Sequence, residues 1–330
     1  MKVQNRFVKR LLKLVLYPFF RPYIRMPGKS HTGALPQPTS EELTIAANSR
    51  RHVQALAVDI GDRSRVLPAA QTRSLDYISA QMAELGYTMQ SESFTLSTDP
   101  SIGVHNLIAE LPGETDEILV LGAHYDTVSG SPGADDNATG VAGVIELARM
   151  LKGLKLKRKV RFAFFGNEEE RDVWTDMGSY QHAALSHARK DRIVGMLSLE
   201  MLGYFSDEPG TQLYPFPFNL FYPDTGNFIG FVGNKNSKEF VAKVVGMFRE
   251  TTPLPSEGAA PPERFSDIAR SDHWSFWQFG WPALMITDTS NFRFVHLHGA
   301  NDTIDKVNFD RMARVVAGVR DVVVRLANDK

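Results

Sequence analysis

The sequence predicts a doubly wound α/β fold, on three observations. Four apolar runs, Ile118–Gly122, Val160–Phe165, Ile193–Leu199 and Ala283–Thr287, are continuous rather than alternating, as strands covered on both faces are. Helix-like stretches separate them, among them Thr139–Lys152, with Val141, Val144, Ile145, Ala148 and Leu151 at helical spacing, and Asp176–Lys190. Alternation of the two element types, with no internal repeat and no low-complexity tract, is the pattern of a sheet wrapped by helices.

In chain order, residues 1–35 read as a basic amphipathic tail and 36–330 as one domain. Residues 1–30 carry eight Lys or Arg and no Asp or Glu. The longest uncharged run, Leu14 to Phe20, is too short to span a bilayer and contains Pro18, and Lys13 interrupts any signal-peptide core. Phe7, Leu11, Leu12, Val15, Leu16 and Phe19 recur at roughly helical spacing with basic residues between them. That suits peripheral contact with an anionic membrane, and equally a helix packed on its own domain. Asp76 to Leu85 reads as an amphipathic helix closed by Gly86. Short strands follow at Met89–Phe94 and Asn106–Glu110, with Pro112-Gly113 as the turn, and then the four apolar runs. An aromatic and Pro-rich insertion near 204–235 contains five aromatics between Tyr214 and Tyr222, either a wall for an apolar side chain or a lid packed on the body.

Composition narrows the function. With 43% hydrophobic and 23% charged residues, the 330-residue chain can bury a core without staples. The absence of cysteine excludes a disulfide framework, a thiolate zinc site and a cysteine nucleophile. Outside the first thirty residues, 29 Lys and Arg face 38 Asp and Glu, a net of −9, so nucleic acid is excluded as the main partner. There is no His-Glu-x-x-His, Gly-x-Ser-x-Gly, Gly-x-x-x-x-Gly-Lys or Gly-x-Gly-x-x-Gly.

Ligands of such sheets bind beyond the carboxyl ends of the strands, so the polar residues after each apolar run are the informative ones. They are His124-Tyr125-Asp126 and Asp135-Asp136-Asn137 after the first run, and Glu168-Glu169-Glu170 after the second. Glu200 ends the third, and His296-Leu297-His298 with Asp302-Thr303 follows the fourth. Any one of these alone is an ordinary solvated loop residue. Together at four strand ends they make a nitrogen and oxygen donor set suited to zinc, or to manganese or cobalt.

The set His124-x-Asp126, Asp136-Asn137-x-x-Gly140, Gly166-x-Glu168-Glu169, Glu200-Met201 and His298-x-x-x-Asp302-Thr303 resembles the M28 family of co-catalytic zinc aminopeptidases, from about residue 50 to 325. Ser271-Asp272-His273 before Gly280-Trp281-Pro282-Ala283 is similar as well. The resemblance implies a three-layer α/β/α fold with a mixed, largely parallel sheet. It also implies two zinc ions per chain, one held by His124 and Glu200 and the other by Glu169 and His298, with Asp136 bridging both. Glu168 is then the general base, Asp126 the acceptor of the other ring N–H of His124, and the Asp136–Asn137 peptide bond cis. His296, which lacks the Asp four residues on, is placed outside the ligand set. The implied chemistry is hydrolysis of N-terminal residues from peptides by metal-activated water. Two departures stand out: Glu200 where many members have Asp, and Leu297 where some have an oxyanion-steadying Tyr. The rival readings are a glutaminyl-cyclase-like acyl transferase and an inactive membrane-tethered binding protein. The preferred residue, the oligomeric state and the compartment (cytoplasm, membrane surface or export) stay open.

Overall fold

The computed structural model describes residues 2–329, with side chains from Val8 onward, so Phe7 of the N-terminal stripe lies outside the described side chains. The strands are β1 (Gln90–Thr95), β2 (Gly103–Leu111), β3 (Glu117–His124), β4 (Lys159–Phe165), β5 (Arg192–Glu200), β6 (Ile229–Gly233), β7 (Ser256–Ala259) and β8 (Ala283–Thr287). They form one sheet in the order β1-β2-β4-β3-β5-β8-β6-β7. The central four, β4-β3-β5-β8, run parallel, whereas β1, β2 and β6 pair antiparallel to a neighbour.

Continuous apolar runs make these central strands because both of their faces are buried. Along β3, Leu119, Leu121 and Ala123 enter the large core cluster while Ile118 and Val120 enter a second one. The large cluster is closed by α2 (Ser40–Val53), α3 (Pro68–Glu84), α4 (Gly140–Leu151), α6 (Lys238–Thr251) and α8 (Phe309–Asn328). The second lies under α5 (Gly178–Arg189) and α7 (His273–Trp277). The result is three layers, α/β/α. Sequence periodicity foresaw α3 only from Asp76; its first turns carry Gln71, Thr72 and Arg73 and show no apolar stripe.

The remaining helix, α1 (Lys2–Ile24), precedes a segment strapped to the domain. Arg249 donates to the Pro27 carbonyl, the Ser256 N–H to Ser30 Oγ, and Arg314 to the Pro36 carbonyl. No helix among the described residues is long and apolar enough to cross a membrane. In the sheet, β3 is the point where strand order reverses, with β4 on one side and β5 on the other. A crevice outside the carboxyl ends of these strands is where this topology puts a site.

Candidate active site

The donors His124, Asp136, Glu168, Glu169, Glu200 and His298 reach that crevice from the ends of four strands. His124 closes β3 and Glu200 closes β5; Glu168 and Glu169 follow β4, and His298 follows β8. Asp136 comes from the loop between β3 and α4, and its bond to Asn137 is cis.

The Asp136 carboxylate is two-sided. Its Oδ1 lies 3.4 Å from Nε2 of His124, and its Oδ2 lies 3.3 Å from Nε2 of His298. Glu200 Oε2 stands 3.2 Å from the first imidazole, and Glu169 Oε2 stands 3.2 Å from the second. Nδ1 of His124 donates to the Asp126 main-chain carbonyl, 3.2 Å away. A carbonyl only accepts, so Nδ1 carries a proton, and Nε2 points between two carboxylates. The Asp126 carboxylate, expected to take that ring N–H, is 3.7 Å from it. It instead accepts the backbone N–H groups of Glu168 and Glu169 at 3.1 and 3.0 Å, because the turn after β4 points both into it. Asp126 thus holds the Glu pair through its carboxylate and the histidine ring through its main-chain carbonyl.

The electrostatics favour positive charge at this spot. Burial opposes protonation of His124, yet Glu200, Asp126 and Asp136 outweigh it and push its pKa well above the usual imidazole range. Hydrogen bonding to Asp136 and Glu169 pushes His298 up to about 10. Burial pushes Glu169 up to about 8, with the Asp136 charge adding to it. Burial likewise raises Glu168 well above the carboxylate range, opposed by Arg171, whose guanidinium lies 2.9 Å from Oε1. Asp136 Oδ1 is buried without a hydrogen bond. Four carboxylates and two imidazoles packed this way fit divalent cations, whose charge removes the repulsion. Among the described residues, His124, Asp136 and Glu169 bring ligand atoms within 4.8 Å of one another.

Neighbouring groups hold the donors in place. The Asp302 carboxylate accepts the N–H groups of Asp135 and Asp136 at 2.8 and 3.0 Å. Ser271 donates to Glu200 at 2.8 Å, and Asn137 donates to the Leu199 carbonyl while accepting from Gly140 and Met201. Asn167, Met201 and His298 hold left-handed backbone at φ 58°, 51° and 58°, a strained conformation for side-chain-bearing residues. His296 stays out of the cluster, with its ring against Phe294. Two residues were missed by sequence reasoning. Arg63, fully buried, donates to the carbonyls of Leu56, Gly61, Tyr125, Pro132 and Gly133 and so pins the loop that carries Asp136. Arg171 caps Glu168; its i+3 spacing from a glutamate was the only available signal.

A cavity of about 600 Å³ opens over the cluster. Asp136, Glu168, Glu169, Glu200 and His298 line one part of it, and Tyr214, Phe218, Tyr222, Phe265, Phe292 and Met285 line another. The aromatic insertion is therefore a cavity wall, and Phe218 also packs on Phe20 of α1.

A three-layer α/β/α sandwich with imidazoles and carboxylates converging at the strand ends has the architecture of a metal-dependent enzyme. Residues 106–323 match the model of peptidase family M28, and the chain belongs to that family. It is 36% identical over 257 residues to the uncharacterized protein YfbL of Escherichia coli (strain K12), covering 75% of this chain and 78% of that one. It is 31% identical over 183 residues to leupeptin-inactivating enzyme 1 of Streptomyces exfoliatus, covering 54% and 40%. With the probable leucine aminopeptidase 1 of Trichophyton verrucosum (strain HKI 0517) it shares 27% identity over 234 residues, covering 65% and 56%. The chain thus matches only about half the length of the last two. The fold is similar to an aminopeptidase from Aneurinibacillus sp. strain AM-1, with TM-score 0.66 and 18% identity over 86% of this chain and 94% of that one. It is also similar to Porphyromonas gingivalis glutaminyl cyclase, with TM-score 0.64 and 20% identity over 84% and 97%.

Proposed function

We propose that the chain is a zinc-dependent exopeptidase of the aminopeptidase type. His124, Asp136 and Glu200 would hold one ion, and Asp136, Glu169 and His298 a second. The observation that carries this reading is the two-sided Asp136 carboxylate, with one oxygen toward each histidine at 3.4 and 3.3 Å. Bound there, zinc supplies Lewis-acid chemistry, lowering the pKa of water and polarising a carbonyl.

The chain's own residues do the rest. Glu168, adjacent to a ligand but not needed as one, takes the proton of the attacking water and returns it to the leaving amine. Asp126 fixes it through the two backbone N–H groups, and Arg171 beside it opposes the rise that burial imposes on its pKa. The surplus of carboxylates suits the free ammonium of a peptide N-terminus, and the aromatic wall suits an apolar side chain. The names of the leucine aminopeptidase and leupeptin-inactivating relatives support a peptide substrate.

The test is metal analysis of the purified, zinc-equilibrated protein together with assays on aminoacyl p-nitroanilides and their N-acetyl forms. Two zincs per chain and hydrolysis of the free-amine substrates alone are expected. One zinc with cyclisation of an N-terminal glutaminyl peptide would move the protein to acyl transfer. Equal cleavage of blocked substrates would remove the exopeptidase assignment.

A further inference from the structure

Helix α1 turns an apolar face away from the protein. Val8, Leu11, Leu12, Val15 and Phe19 are 50, 53, 38, 56 and 70% exposed. At about 100° per residue these five fall within a sector of roughly 100°, and Lys9, Arg10, Lys13 and Arg21 fall in the opposite sector, with the exposed Leu14 at its edge. Among the described residues, the body holds the helix at its C-terminal end. Phe20 stacks on Phe221 at 5.6 Å and meets Phe218 and Phe265 edge-on, Tyr17 contacts Phe221, and the Ala260 N–H donates to the Tyr23 carbonyl. A helix that served the core would turn the Val8–Phe19 face inward; here it is outside.

We infer that α1 is an interfacial anchor that lays this face into the surface of an anionic bilayer. Charge selects the occupant. Residues 1–30 carry eight basic and no acidic residues. A second copy docked on the same face would bring like charges together with no acid on either helix to pair them. Anionic lipid instead offers acyl chains to the apolar face and phosphates to the basic one. The helix is charged along its length and does not cross the membrane. Its anchored end is also placed to matter: Phe218 and Phe265, on which Phe20 rests, line the cavity over the metal-ligand cluster. Anchoring thus sets the mouth of the site close to the lipid surface. This inference does not depend on the peptidase reading.

The experiment is co-sedimentation of the full-length protein with vesicles of phosphatidylglycerol and phosphatidylcholine (1:1) or of phosphatidylcholine alone. Binding to the anionic vesicles at 0.1 M salt is expected, at least tenfold weaker on neutral vesicles and at 1 M salt, where the Debye length falls from ~10 to ~3 Å. The double variants Leu12→Glu with Val15→Glu and Lys9→Glu with Lys13→Glu should each weaken binding at least tenfold and leave the melting temperature unchanged. Equal binding to both vesicle types, or binding that survives the variants, overturns the inference. So does a lower melting temperature in the Leu12/Val15 variant, which would make the face a packing surface. A lipid-free dimer that this variant dissolves would assign the face to a second copy.

Discussion

Glu168 and Glu169 are neighbours in the chain with different surroundings, and a single carboxylate, Asp126, makes the difference stable. By accepting both backbone N–H groups it fixes the turn that sends Glu169 to His298 and Glu168 to Arg171. Glu168→Gln keeps the shape and loses the proton acceptor. General acid–base catalysis contributes about 10²- to 10⁴-fold, so kcat should fall by that order while zinc content and melting temperature stay as in the parent. A variant that kept more than about a tenth of the rate would take the base role from Glu168. That these imidazoles and carboxylates meet in one crevice was legible in the sequence because each follows a continuous apolar run. Arg63 was not. It sits in Gly61-Asp62-Arg63-Ser64, which has no periodicity, and its role comes from five carbonyls, three of them more than sixty residues away.

At the scale of elements, the site depends on how closely α4 approaches β5. A Cβ built on Gly140 would lie 2.3 Å from both the Leu199 carbonyl oxygen and Asn137 Oδ1, so no side chain fits without moving the helix. Asn137 ties the helix start to Met201 and Leu199, the neighbours of Glu200. Gly140→Ala should therefore destabilise by about 1–3 kcal/mol, the usual range for overpacking, and weaken zinc binding. Gly153, at the other end of α4, has φ +77° and nothing within 4 Å. Gly153→Ala should cost only the left-handed backbone term, about 1–2 kcal/mol, with zinc binding untouched. Melting curves and zinc titrations of both variants check this; equal loss of zinc affinity would mean that the close approach does not support the site. The same physics explains which elements could be read from sequence. The strands β3, β4, β5 and β8 are buried on both faces and announce themselves as apolar runs. At the edge, β6 contains two glycines in five residues and β7 reads Ser-Glu-Gly-Ala, so pairing with neighbours rather than composition makes them strands.

At the scale of the whole molecule, acid should unfold the protein partly through histidines buried as neutral rings. His52 on α2 is nearly inaccessible, and burial, with Arg51 and Arg149 adding to it, lowers its pKa to about 4. Its Nδ1 lies 2.7 Å from the Tyr77 hydroxyl, whose own pKa burial pushes up to about 12, so that hydroxyl stays neutral throughout the acid range and offers a protonated ring no counter-charge. Glu146, 3.9 Å from Nε2, offers little counter-charge, because Arg149 already binds both of its oxygens at 2.8–3.0 Å. In the unfolded chain the same histidine titrates near 6.5. Between pH 6.5 and 4 the unfolded state therefore takes up a proton that the native state refuses, and stability falls as pH falls. At about 1.4 kcal/mol per unit, the loss from this one residue approaches 3 kcal/mol near pH 4.5. The variant His52→Gln keeps a neutral amide able to hydrogen-bond the Tyr77 hydroxyl in either direction but does not titrate. Parent and variant should be compared by urea unfolding at pH 7 and at pH 4.5, both with chelator and no metal, so that other groups, among them Asp272 raised to about 7 by burial, cancel in the difference. The parent should lose about 2–3 kcal/mol more than the variant on going to pH 4.5. A constant difference between the two would mean that Glu146 shares the proton with His52 after all, and that the contact between α2 and α4 is an ion pair.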